Sequence, residues 1–98
     1  MNLDKIRELA IKEPKNLLEK MIKLQEECGE LAQEVLVQQQ SSGSTYKKSS
    51  PHGLPKECVD ILLVVLSIFF SQGYSKDQLA QFLDEKLDKW RTYQDKIT

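Results

Sequence analysis

The chain has 98 residues, enough for one domain, with 14 basic and 15 acidic side chains and a net charge of −1. That balance argues against nucleic-acid binding by bulk phosphate neutralisation and against a polybasic membrane-surface protein. A domain this small leaves much of its surface exposed, so helices of this length gain from burying more of it in an oligomer.

The opening stretch MNLDKIRELAIKEPKN lacks a basic segment followed by an apolar core, so no secretory signal is expected. The most apolar run, ILLVVLSIFF at 61–70, has ten residues, whereas spanning a bilayer takes about 20. It reads as a buried helix, and no membrane partner is expected. Cys28 and Cys58 make no disulfide framework, which leaves a cytoplasmic protein as the default expectation.

The periodicity predicts an all-α fold of four helices in a single domain over 1–98. A short helix covers about 3–11 and is interrupted by Pro14, because an interior proline removes a hydrogen bond and clashes. A second helix covers about 15–39, with Leu17, Met21, Leu24, Cys28, Leu31 and Val35 forming one apolar stripe at alternating spacings of four and three. The Ser- and Gly-rich stretch QSSGSTYKKSSPHG carries no periodicity, so 40–54 reads as a flexible loop whose length suits a functional segment.

A third helix is expected from near Leu54, with Pro55 in a first turn that needs no N–H there, to about Ser71, with Gly73 ending it. Beyond Asp60 it is apolar almost all round and must be covered on most sides, which suggests a subunit interface. Ser75-Lys76-Asp77-Gln78 is a capping-box pattern that starts a fourth helix. Its stripe continues through Leu79, Phe82, Leu83, Leu87 and Trp90, and its last residues are expected to fray. The valines at 59–66 lack the alternation of a strand.

The chemistry-bearing residues are carboxylates. On the second helix Glu27 borders the apolar stripe, with Glu30 and Glu34 just beyond it, and residues three apart are neighbours on a helix. The third helix opens with Glu57 and Asp60, also three apart, immediately before the apolar run. An aspartate there needs solvent or a strong partner, because a buried unpaired charge is costly. Setting the two helices side by side brings two acidic pairs together. At about 5 Å and an effective dielectric near 20, each like-charge pair repels by roughly 3 kcal/mol. Hard oxygen ligands in that number suit Mg²⁺, or Mn²⁺, which could orient a triphosphate and activate a water. Glu-Glu-x-x-Glu on a single helix is by itself more often a solvated face; Glu57 and Asp60 at the mouth of an apolar helix tip the reading toward a metal.

EECGE at 26–30 and ECVD at 57–60, in the contexts KLQEECGELAQEV and KECVDILLVVL, resemble the MazG-like, all-α NTP pyrophosphohydrolase superfamily, whose pattern is Glu-Glu-x-x-Glu followed after a gap by Glu-x-x-Asp. The resemblance covers the three helices after Pro14. It implies a four-helix MazG-like domain assembled as a dimer or tetramer, and hydrolysis of a nucleoside triphosphate between the α and β phosphates to a monophosphate and pyrophosphate. Carried over by position, Glu27, Glu30, Glu57 and Asp60 are the Mg²⁺ ligands, and Glu26 is a base-like helper beside the catalytic Glu27. Relatives often carry a Lys, Asn and Arg group on the last helix for phosphate binding; here KLDKWRTY offers Lys86, Lys89 and Arg91, with Trp90 where an asparagine is often found. The implied role is clearance of non-standard nucleotides. Phosphoribosyl-ATP pyrophosphohydrolase shares the acidic pattern and is the enzymatic alternative. A helical dimerisation module, with the glutamates serving only solubility, is the non-enzymatic one.

Other residues have plainer readings. A zinc site from Cys28, Cys58 and His52 fits no finger spacing, and buried cysteine is more often an apolar filler. Lys47, Lys48 and Lys56 would reach a triphosphate if the loop closed as a lid. Trp90 and Tyr93 suit either base stacking or core packing. Gly29 suits a close helix approach, at a helix cost of about 1 kcal/mol.

Overall fold

A computed structural model describes residues 1–40 and 52–97. They form four helices: α1 (Leu3–Lys12), α2 (Leu17–Gln38), α3 (Gly53–Ser71) and α4 (Lys76–Ile97). No strand occurs among the described residues, and no helix there is long and apolar enough to cross a membrane. Most of the expected loop, with Lys47 and Lys48, lies outside the described residues.

Local signals account for the boundaries. Asn2 caps α1 by accepting from the Lys5 N–H at 3.1 Å. Asn16 and Glu19 form a reciprocal capping box at the start of α2, with bonds of 2.9 and 3.1 Å. That box fixes α2 two residues later than the sequence reading placed it. Ser75 and Gln78 form the expected box before α4, again in both directions. Gly73, with φ 91°, ends α3 in the left-handed region where a Cβ is disfavoured. The fourth helix continues to Ile97, the last described residue.

The hydrophobic core is small and lies at the C-terminal half of α3. Ala10 of α1 and Leu66 and Phe70 of α3 are buried together, with Leu3, Ile6, Phe69 and Leu79 packed around them. Phe69, Tyr74 and Phe82 extend this cluster through ring contacts of 5.1 to 6.4 Å between centroids. Lys76 pairs with Asp4 at 2.6 Å, tying the start of α4 to α1. Extended helix packing is confined to α2 on α3 and α1 on α3.

Helices α2 and α3 run antiparallel. Lys20 reaches Ser67, Glu27 meets Asp60, and Glu34 lies against Gly53, stepping by seven residues in opposite directions along the two helices. This seam differs from the expected one. The covered face of α2 is rotated toward Lys20, Glu27 and Glu34, and shares only Leu24 and Leu31 with the apolar stripe. Leu17, Met21, Cys28 and Val35, expected at the seam, stay exposed. Both cysteines are exposed thiols, which corrects their reading as buried fillers. Gly29 has no atom within 4 Å of where a Cβ would stand, so it permits no close helix approach here. The fourth helix has no buried residue: Leu83, Leu87, Trp90 and Tyr93 are all exposed, which removes the core-packing reading of the last two.

Candidate metal centre

The carboxylates converge where the middle of α2 faces the first two turns of α3. Glu27 is brought inward by the rotated seam and is 6% exposed, one of two buried charged side chains among the described residues. Glu57 is half-buried, and Asp60, one turn further along α3, is exposed at the rim. One carboxylate oxygen from each of Glu27, Glu57 and Asp60 lies within 4.8 Å of the other two. A second trio, Glu26, Glu27 and Glu30, satisfies the same limit. The two trios share Glu27, so the four residues expected as ligands do not form one simple shell.

Electrostatics around the shared residue are uneven. Lys23, one turn earlier on α2, donates to Glu27 at 3.0 Å and to Glu26 at 3.4 Å. The lysine bond, aided by one with Glu57, holds the Glu27 carboxyl below its usual range, and the same carboxylates raise the Lys23 ammonium. Glu57 goes the other way. Hydrogen bonding to the Glu27 carboxylate, then burial, then the neighbouring Glu30 push it up to about 7. Near neutral pH, Glu57 therefore shares a proton with Glu27 because two carboxylates this close resist ionising together.

Oε2 of Glu27 and Oε2 of Glu57 are buried and, when both carboxylates are ionised, have no hydrogen-bond partner, so either the proton shared between the two or a cation must satisfy them. Buried polar atoms are ordinarily satisfied, and two orphaned carboxylate oxygens beside a third oxygen ligand suit a hard divalent cation. The donor set, oxygen only and without cysteine or histidine, fits Mg²⁺ or Mn²⁺ better than zinc. Acidic trios on helices also occur without metal, and the orphaned oxygens are what distinguish this one.

Glu26, expected as a helper, stands within ligand distance of Glu27 and Glu30 while remaining open to water. Glu34 lies further along the seam, its carboxylate against Gly53 at the first turn of α3, where the helix dipole favours negative charge. Lys56 is exposed on that same turn. Lys86, Lys89, Trp90 and Arg91 are all exposed on the distal part of α4, a helix without extended packing against α2 or α3. Within one chain the structure does not bring them to the carboxylates. The residue that sequence reasoning missed is Lys23. Its signal was present, since a lysine four residues before Glu27 and three before Glu26 faces both on a helix.

The chain gives no match to any protein-family model, curated protein or solved structure. The likeness to the MazG-like enzymes thus rests on the two acidic motifs and their helical setting.

Proposed function

We propose that the protein is a Mg²⁺-dependent nucleoside-triphosphate pyrophosphohydrolase of the MazG-like kind, cleaving the α–β phosphoanhydride bond. The observation that carries this reading is the meeting of Glu27, Glu57 and Asp60 within 4.8 Å, with two of their oxygens buried and unpartnered. Glu27, Glu57 and Asp60 would hold one cation, and Glu30 with Glu26 borders a second position on the other side of Glu27. A divalent ion there supplies charge neutralisation for the phosphates and lowers the pKa of a water.

The chain's own residues have defined tasks in this scheme. Water oxygen adds to the α phosphorus, the bond to the bridging oxygen breaks, and pyrophosphate departs. Glu26, open to solvent at the edge of the cluster, accepts the proton released by the water. Lys23 fixes the Glu27 carboxylate and keeps it ionised. The Glu57 proton must leave when a cation enters, which couples metal binding to pH.

Assembly belongs to the same reading. Val59, Leu62, Leu63 and Val65 of α3 are each more than a third exposed, as are Leu83, Leu87 and Trp90 of α4. A homodimer or homotetramer would cover them, and it offers Lys86, Lys89 and Arg91 a route to a neighbour's carboxylates. The same exposed faces favour the dimerisation module as second reading, and Mg²⁺ separates the two. An ion that binds only the folded state at a hundred times its Kd adds about 2.7 kcal/mol, so the enzyme's melting temperature rises with Mg²⁺, whereas a bare module responds only to ionic strength. The direct test is pyrophosphate release from the common NTPs and dNTPs, with and without Mg²⁺. No release from any of them, together with no Mg²⁺ effect on melting, would remove the enzymatic reading.

A further inference from the structure

Lys20 is the second buried charge, 4% exposed, and lies one helical turn before Lys23. A buried ammonium needs a counter-charge, yet among the described residues no carboxylate pairs with Lys20. Its Nζ donates only to the carbonyl oxygens of Ala10 and Ser67, both at 3.5 Å. These are long for N–H···O bonds, and an ammonium has three donors. The side chain lines a cleft of about 200 Å³ between the end of α1, α2 and the flank of α3, together with Lys15, Lys23 and Glu13. Lys15 pairs with Glu13 at 4.0 Å and Lys23 with Glu27 and Glu26, which leaves Lys20 as the lining cation that no carboxylate neutralises among the described residues.

Two features define the anion. The cleft shares Lys23 with the carboxylate cluster, so it opens beside the cation position and not elsewhere on the surface. Its volume is below the roughly 300–1,000 Å³ of pockets that enclose whole ligands, so it takes a fragment of a larger molecule. We propose that Lys15, Lys20 and Lys23 form the seat of the two terminal phosphates of the triphosphate, and of pyrophosphate after cleavage. The source of the anion rests on the pyrophosphohydrolase reading; anion binding by the cleft does not. Lys20 then has two roles: its stem and weak carbonyl contacts join α1 to the α2–α3 pair, and its remaining charge meets the phosphates.

The experiment is titration of the full chain with inorganic pyrophosphate in the absence of divalent cations, followed by NMR or calorimetry, with sulfate at matched ionic strength as control. Wild type is expected to bind pyrophosphate in preference to sulfate. Lys20→Met, which keeps the stem, is expected to remain folded and bind at least tenfold more weakly. Lys20→Arg should retain most of the affinity, and Lys15→Ala, an exposed position, should lose a few-fold. In turnover assays, the Ki for pyrophosphate and the KM for the triphosphate should rise together in Lys20→Met. Wild-type affinity in a folded Lys20→Met overturns the proposal; if that variant does not fold, unchanged affinity in Lys15→Ala does so. Lys20-dependent pyrophosphate binding without hydrolysis of any nucleotide would keep the cleft and sink the enzyme. Mg²⁺-dependent hydrolysis with pyrophosphate binding indifferent to Lys20 would do the reverse.

Discussion

The α2–α3 pair and α4 divide the molecule into two kinds of surface. Along the pair, charged side chains lie inside: Lys20 and Glu27 are buried while Leu17, Leu18, Met21 and Ile22 are exposed. Along α4, a regular apolar stripe has nothing against it beyond Leu79 and Phe82, and Leu83, Leu87 and Trp90 face outward. Hydrophobic burial alone would have produced neither arrangement, because it favours covering the apolar stripe first. The difference teaches that the pair buries two charges in its seam, whereas α4 leaves most of its apolar stripe uncovered within the single chain.

The largest expected effect breaks the first half of that contrast. Asp60→Asn or Glu27→Gln should lower kcat for pyrophosphate release by roughly a hundredfold or more, as losing a positioned electrostatic group does. Circular dichroism and thermal melting should show a folded protein. Full activity in either variant would mean the seam is structural only.

Next in size is the second half. Each leucine covered by a partner is worth about 1.5–3 kcal/mol, so Leu83→Glu with Leu87→Glu should shift the proposed oligomer toward monomer at least a hundredfold in dissociation constant. Analytical ultracentrifugation across a concentration series measures this. If wild type is itself monomeric at every concentration, the exposed stripe has another explanation.

A smaller effect concerns pH. Because Glu57 titrates at about 7 when folded and near 4.5 when unfolded, the folded state holds the extra proton between those values. The metal-free protein therefore loses stability as pH rises from about 4.5 to 7. Glu27 has the opposite sign: its depressed value contributes stability above 4.5 that is lost only as pH falls through its folded value. Mg²⁺ affinity should rise by up to about tenfold per pH unit below 7 and level off above it. Glu57→Gln should flatten the stability profile between 4.5 and 7, measured by melting at fixed ionic strength. A wild-type profile that is already flat there would contradict the shared proton.

The smallest change sharpens the boundary between the two regions. Gly29 is mid-helix with open space where a Cβ would go, so Gly29→Ala should stabilise the fold by about 1 kcal/mol from helix propensity alone. A lower melting temperature instead would show that a second copy approaches α2 at that point.

The amino-acid sequence by itself determined the four helices, because their signals are local: the proline after α1, the box at Ser75 and Gln78, the glycine after α3. The box at Asn16 and Glu19 was equally local and could have been read from Asn-x-x-Glu. Both acidic pairs were legible for the same reason, since i, i+3 spacing fixes neighbours on any helix. Only the tertiary structure decided which face of α2 turns inward. The apolar stripe pointed toward Leu17, Met21 and Val35, but packing against α3 in the antiparallel register selected Lys20, Glu27 and Glu34, and with them the lysine cleft. Helical periodicity specifies a face to within a residue or so, while the rotation that settles a seam is a property of two surfaces together and is written in neither alone.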